Sequence, residues 1–174
     1  MEMTGEQRIA APRDTVWAAL NDPDVLKACI PGCKTLEKIS DTAFKATATL
    51  AIGPVKATFA GAVTLSEIDA PNAYVIRGDG NGGVAGFAKG EARVRLREDG
   101  LETVLDYAVR ADVGGKLAQL GGRLIDATAK KLAGDFFKNF SEVVAPSPAA
   151  AEAETEAATR RRGLFKRLFG GKTA

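Results

Sequence analysis

The sequence predicts an α+β fold: a curved antiparallel sheet of about six to seven strands wrapped round one long C-terminal helix, with two short helices after the first strand. Three observations predict it. Apolar residues alternate through most of Cys33 to Val113, helical spacing takes over from Gly114-Gly115 to about Val144, and a proline-led helical stretch follows the first alternating run. A strand, two helices, a meander and a long helix bury their apolar faces together when the sheet grips the helix.

Met3 to Ala10 alternates and reads as the first strand. Pro12 suits the first turn of a helix that continues to Leu20 and buries Val16, Trp17 and Leu20. A second short helix starts near Asn21-Asp22-Pro23, runs through Leu26, and is stopped by Ile30-Pro31-Gly32. Thr42 to Ile52 places Phe44, Ala46, Ala48, Leu50 and Ile52 on one face. Gly53-Pro54 turns the chain, and Val55 to Ile68 alternates again, pairing antiparallel with it. Ala73 to Gly78, Phe87 to Arg97 and Leu101 to Val113 continue the meander, with Asp99-Gly100 as the tightest turn signal. In the last helix the apolar stripe is not straight. Leu117, Leu120, Leu124 and Thr128 share one face, whereas Leu132, Phe136 and Phe140 drift round by roughly 100°. Either Gly121-Gly122 and Gly134 bend this helix, or it buries two faces.

If Phe44, Phe59 and Tyr107 point towards the helix, parity also turns Ala46, Ala48, Gly61, Gly90, Ala92 and Ala111 inward. Side chains this small either let the helix approach the sheet closely or leave an apolar cavity. The candidates to line such a cavity are Phe44, Phe59, Val63, Tyr74, Tyr107, Leu120, Leu124, Phe136 and Phe140.

The C-terminal 30 residues have another character. Ala145 to Thr159 has no side chain able to build a core and reads as a flexible linker. Arg160 to Lys172 then carries six basic residues, no acidic ones, and Leu164, Phe165, Leu168 and Phe169. On a helix these four fall within an arc of roughly 140° while Lys166 and Arg167 point away. Arg160, Arg161, Arg162, Lys166 and Arg167 with the four apolar side chains suit an anionic membrane surface, where each basic residue is worth on the order of 1 kcal/mol. Nucleic acid and a docking peptide are the alternatives. The interleaved Leu and Phe argue against nucleic acid, because phosphate contacts do not need them. The division of the chain is therefore 1–144 as a ligand-binding domain, 145–159 as linker and 160–174 as membrane-binding tail.

The charge follows this division: the tail from Ala145 has six basic and three acidic residues, and the body 18 and 19. No run of about 20 apolar residues exists to span a membrane, and Met1 to Ala10 lacks the apolar stretch of a signal peptide. With only two cysteines and no export signal the chain reads as cytoplasmic, and the basic tail then makes it peripheral on the inner face of the cytoplasmic membrane. Histidine is absent, which removes Ser-His and Cys-His mechanisms and the commonest metal ligand. Carboxylate or lysine chemistry stays open, but the sequence shows no catalytic motif, and no catalytic residue, metal site or catalytic cofactor is assigned.

Three motifs invite a stronger reading. Gly78-Asp79-Gly80-Asn81-Gly82-Gly83 has the spacing GxGxxG, but a pyrophosphate cradle needs a helix after it and another strand follows; it reads as a strand connection or a rim over a cavity mouth. Cys29 and Cys33, without histidine or a second cysteine pair, read as idle thiols rather than a zinc site or redox pair. Lys89, Glu91, Arg93, Arg95 and Arg97 form the outward face of one strand, either solvated or a docking surface for an acidic partner.

Ala28-Cys29-Ile30-Pro31-Gly32-Cys33 after a Trp-containing helix, the Gly53-Pro54 turn, and Gly83 to Ala92 (GVAGFAKGEA) together carry a family resemblance. The body, Met1 to about Val144, resembles the CoxG subunit family of carbon monoxide dehydrogenase, within the START-like (SRPBCC) helix-grip superfamily. The resemblance implies a non-catalytic accessory protein that brings a carbon monoxide dehydrogenase or related molybdenum hydroxylase to the membrane, and an apolar cavity that holds a quinone or lipid. The competing readings are a polyketide cyclase or aromatase-like enzyme, which would orient substrate with Tyr74, Tyr107, Arg77, Arg110 or Asp106, and a stand-alone lipid-binding module.

Overall fold

A computed structural model describes residues 1–145. The linker beyond Ala145 and the basic tail, Arg160 to Phe169 included, lie outside the described residues. The elements are β1 (Glu2–Ile9), α1 (Arg13–Leu20), α2 (Pro23–Cys29), β2 (Cys33–Ser40), β3 (Ala43–Ile52), β4 (Val55–Asp69), β5 (Ala73–Asn81), β6 (Phe87–Asp99), β7 (Glu102–Gly114) and α3 (Gly122–Val144), with 3-10 turns at Gly83–Ala85 and Gly115–Leu120. The strands form one seven-stranded sheet in the order β1-β7-β6-β5-β4-β3-β2, every neighbour antiparallel. This is the gripped-helix α+β architecture that the alternation predicts.

Local chemistry sets the element ends. The Asp22 side chain accepts from the Asp24 N–H at 2.9 Å and Pro23 occupies the first turn, so α2 starts where the sequence places it. It runs to Cys29 rather than Leu26, and the Asn139 amide on α3 donates to the Cys29 carbonyl at 3.1 Å, satisfying an otherwise open helix-end acceptor. Strand β5 also extends past Gly78, because Gly80 pairs with Ala88 and Asn81 with Phe87. Much of the glycine motif is thus ladder, and the connection shrinks to residues 82–86.

The apolar stripe read for the last helix spans a break in the chain. Leu117 and Leu120 belong to the Gly115–Leu120 turn, and Gly121, at φ +87°, breaks the chain before α3 begins. That conformation is open to glycine and strained for most other residues. Counted from Gly122, Ile125, Thr128, Ala129, Leu132, Phe136 and Phe140 fall within an arc of about 120°, one broad face along which each i, i+4 step turns by about 40°. Leu120 and Leu124 therefore do not share a helical face, and Leu124 lies against Gly53 in the β3–β4 turn. Gly134 lies inside the uninterrupted helix.

The register turns Ala46, Ala48, Gly61, Gly90, Ala92 and Ala111 to the same face as Phe44, Phe59 and Tyr107, as parity requires. Along this concave face the packing divides. At the end holding α1, α2 and the C-terminal half of α3, a core cluster unites Ile9, Val16, Leu20, Cys29, Phe44, Leu65, Tyr74, Leu96, Leu105 and Phe140. The Thr103 hydroxyl donates to the Ala11 carbonyl at 2.7 Å and ties the β1–α1 link to β7. At the other end the sheet faces the N-terminal half of α3 with smaller side chains.

Candidate functional site

At that second end lies a cavity of about 270 Å³. The ends of strands build its floor: Leu50 and Ile52 close β3, Phe59 comes from β4, Gly80 from β5, Ala88 from β6, and Ala111 and Val113 from β7. Ile125, Thr128, Ala129 and Leu132 of α3 form the roof, and Met1 and Leu117 close the sides. The four α3 residues are the first part of its broad apolar face. The wall is almost wholly apolar, and the Thr128 hydroxyl is occupied in donating to the Leu124 carbonyl at 2.8 Å.

The rim is the connection at residues 82–86. A side chain on Gly82 would meet the Phe59 ring, so the rim lies directly on a wall residue of the cavity. Gly86, at φ +113°, and Gly115, at φ +72°, let the two 3-10 turns touch backbone to backbone; a Cβ on Gly115 would come within 2.8 Å of the Gly86 Cα. Ala85 is buried there, while Val84 at the tip is 86% exposed. No helix N-terminus follows Gly83, only a 3-10 turn and β6, so the GxGxxG spacing makes no phosphate cradle.

Of the nine cavity candidates, the structure places Phe59 in the cavity wall. Phe44, Tyr74 and Phe140 are buried in the core cluster, and Val63, Tyr107 and Phe136 pack against it. Phe136 stacks on Phe140 at 5.6 Å, Tyr107 on Phe137 at 5.4 Å, and Tyr74 meets Trp17 edge to face at 5.1 Å. Leu120 and Leu124 flank the cavity end without lining it. Sequence reasoning selects large aromatics, which fill space, whereas a cavity sits where side chains are small. The usable signals are the small residues themselves and the parity of Leu50 and Ile52 with Phe44.

The residues a cyclase would need do not converge. Burial pushes the Tyr74 phenol up, far from the cavity wall, and Tyr107 is stacked on Phe137. Arg77, Arg110 and Asp106 lie on the convex face, where Arg77 pairs with Glu91 at 2.9 Å, Arg110 with Glu2 at 3.3 Å, and Asp106 with Arg97 at 2.8 Å. The bonds from Arg77 and Arg97 hold the Glu91 and Asp106 carboxyls below the usual range. Glu91 and Glu67 also engage Arg93, at 3.3 and 3.6 Å. The basic side chains of Arg93 and Arg97 are thus matched within the sheet, which favours a solvated face over an acidic docking surface.

Cys29 closes α2, buried, and Cys33 opens β2, its thiol donating to the Thr35 carbonyl at 3.3 Å; both are free. Burial raises both thiol pKa values, so the reactive thiolate is disfavoured. Among the described residues no cluster of three or more His, Cys, Asp or Glu is placed to hold a metal, and no helix is long and apolar enough to cross a membrane.

Comparison with known families and structures places this geometry. The family profile of CoxG, a subunit of carbon monoxide dehydrogenase, matches residues 5–145. The chain belongs to the CoxG family. A conserved protein from Geobacillus kaustophilus superposes with a TM-score of 0.79 at 34% identity, over 83% of this chain and 95% of that one. A START superfamily protein from Mycobacterium smegmatis (TM-score 0.64, 14% identity, 82% and 96% covered) and a protein from Thermus thermophilus (0.63, 16%, 83% and 97%) share the fold. No curated protein matches the sequence significantly. The CoxG match covers the whole sheet apart from the first residues of β1, and all of α3, so it includes the rim and every cavity residue except Met1.

Proposed function

We propose that this CoxG-family chain is an accessory protein that recruits a molybdenum hydroxylase of the aerobic carbon monoxide dehydrogenase type to the cytoplasmic face of the membrane. There it binds an apolar ligand, a quinone or lipid, linking the enzyme to the respiratory chain. The observation that carries the ligand-binding part is the 270 Å³ apolar cavity between the sheet ends and the first half of α3. The family name supports the enzyme partner. The composition of Arg160 to Lys172, six basic residues interleaved with two leucines and two phenylalanines, supports the membrane.

Organic extraction and mass spectrometry of the purified protein test the ligand. Recovery of quinone or lipid is expected; an empty extract together with no uptake in a direct titration would remove the carrier role. Sedimentation with anionic vesicles, with and without Arg160 to Ala174, tests the tail, and unchanged binding after truncation would end the recruitment mechanism. Co-purification with a large molybdenum-containing complex separates this reading from a stand-alone lipid-binding module.

A further inference from the structure

Resting on that ligand-binding reading, we infer that the cavity takes the hydrocarbon chain of its ligand and leaves the polar head outside, at the rim of residues 82–86. Cavity chemistry drives this orientation. A quinone ring presents two carbonyl acceptors and a lipid head presents more, and an acceptor taken out of water without a donor is penalised. The cavity wall exposes almost no polar surface from which a donor could come. The Thr128 hydroxyl donates to the Leu124 carbonyl, and the Met1 amino group directs one of its three N–H bonds to the Ala111 carbonyl at 2.9 Å. At Gly80, Ala88 and Ala111 the backbone is engaged in the sheet ladder. A prenyl or acyl chain needs no donor and gains from leaving water.

Size points the same way. At about 270 Å³ the cavity is just below the range of roughly 300 to 1,000 Å³ typical of sites that enclose a whole small ligand. It admits a segment of a long amphiphile, not the whole of one. Polar groups at this end of the molecule are outside the wall: the Asn81 side chain accepts from the Gly83 N–H at 2.8 Å within the rim, and Lys116 and Arg123 are exposed. A head held there remains accessible to another protein while its chain is anchored.

Calorimetric titration of the full chain with four probes tests the orientation: menadione, which is a naphthoquinone ring without a tail; the same ring carrying two prenyl units; geranylgeraniol, a prenyl chain without a ring; and palmitate. The tailed quinone and geranylgeraniol are expected to bind within tenfold of each other, with menadione at least a hundredfold weaker. Ala129→Trp, placed in the roof and checked for folding by its melting curve, should abolish binding of every chain. Tighter geranylgeraniol than palmitate would assign a prenyl chain, and the reverse an acyl chain; both support insertion of the tail. Menadione binding within tenfold of the tailed quinone would overturn the inference while leaving the ligand-binding reading intact. Unchanged tailed-quinone binding by folded Ala129→Trp would overturn the location. Failure of all four probes to bind would overturn both.

Discussion

The two halves of α3 lie over the same sheet, yet one is a structural wedge and the other a roof. The C-terminal half inserts Phe136 and Phe140 among Phe44, Leu65, Tyr74 and Leu105, where Phe140 is 0% exposed. Its N-terminal half presents Ile125, Thr128, Ala129 and Leu132 to Gly80, Ala88 and Ala111, and the volume between them stays open. One broad helical face thus serves two purposes, and the size of the facing strand residues decides which. Stability is concentrated at one end of the molecule so that the other can be left underfilled.

The largest expected effect comes from the wedge. Phe140→Ala should lower stability by about 3–5 kcal/mol, because it removes a fully buried ring and leaves a void that its neighbours fill only in part. Leu132→Ala, half-buried at a site that already borders empty volume, should lower it by less than about 2 kcal/mol. Denaturant unfolding of both variants measures the contrast. Equal losses would show that the two ends are packed alike and that the division between wedge and roof is wrong.

Next in size is a pair of glycines, one between the helix and the turn before it and one inside the helix. Gly121→Ala should cost about 1–2 kcal/mol through backbone strain at φ +87° alone, since a Cβ there would meet nothing within 4 Å. Gly134→Ala, in the helix interior with equal room, should instead stabilise by up to about 1 kcal/mol. Thermal melts of the two variants should therefore shift in opposite directions. Two shifts of the same sign would contradict a chain break at Gly121.

These glycines also mark how far the fold and the site are legible in the sequence. Alternation assigns the sheet faces correctly, because side-chain parity in a paired strand is a geometric necessity and a one-residue slip would expose Phe44 and Phe59 together. The long helix is legible as a period but not as a unit. Gly121-Gly122 stands out as a bend signal, yet a 3-10 turn has its own spacing, so Leu117 and Leu120 cannot be projected onto α3, while the drift from Thr128 to Phe140 is the ordinary turn of about 40° per i, i+4 step. Strand β5 reads short because glycine weakens the strand signal, although Gly78 and Gly80 pair normally in the ladder. The cavity is set by what is missing. Its wall becomes visible only once the register puts Leu50, Ala88 and Val113 at the same end of the sheet.

Filling the roof should produce a smaller change of opposite sign to the wedge deletion. Ala129→Leu adds apolar atoms to existing open volume and should stabilise the unliganded protein by about 0.5–1 kcal/mol, while weakening uptake of the tailed quinone at least tenfold. Gain of stability with loss of binding is the signature of a cavity kept open for a ligand. Loss of stability on filling would mean that the space closes in solution and that the roof is ordinary core.

The smallest effect belongs to the convex face, outside both halves. The hydrogen bond from Arg97 holds the folded-state pKa of Asp106 below its ordinary value, so the folded form binds this proton less readily than the unfolded chain does. Its contribution is fully present above the ordinary carboxylate range and is lost as pH falls through the depressed folded value. Asp106→Asn should therefore leave stability at neutral pH slightly lower and flatten its decline in acid, as measured by urea unfolding between neutral and acid pH. The pair is exposed, so added salt should shrink the difference between variant and parent. Phe140→Ala should show no such salt dependence, since the void it leaves is apolar. A salt-insensitive Asp106→Asn loss as large as that of Phe140→Ala would move the stabilising centre of the molecule from the wedge to the outer surface of the sheet.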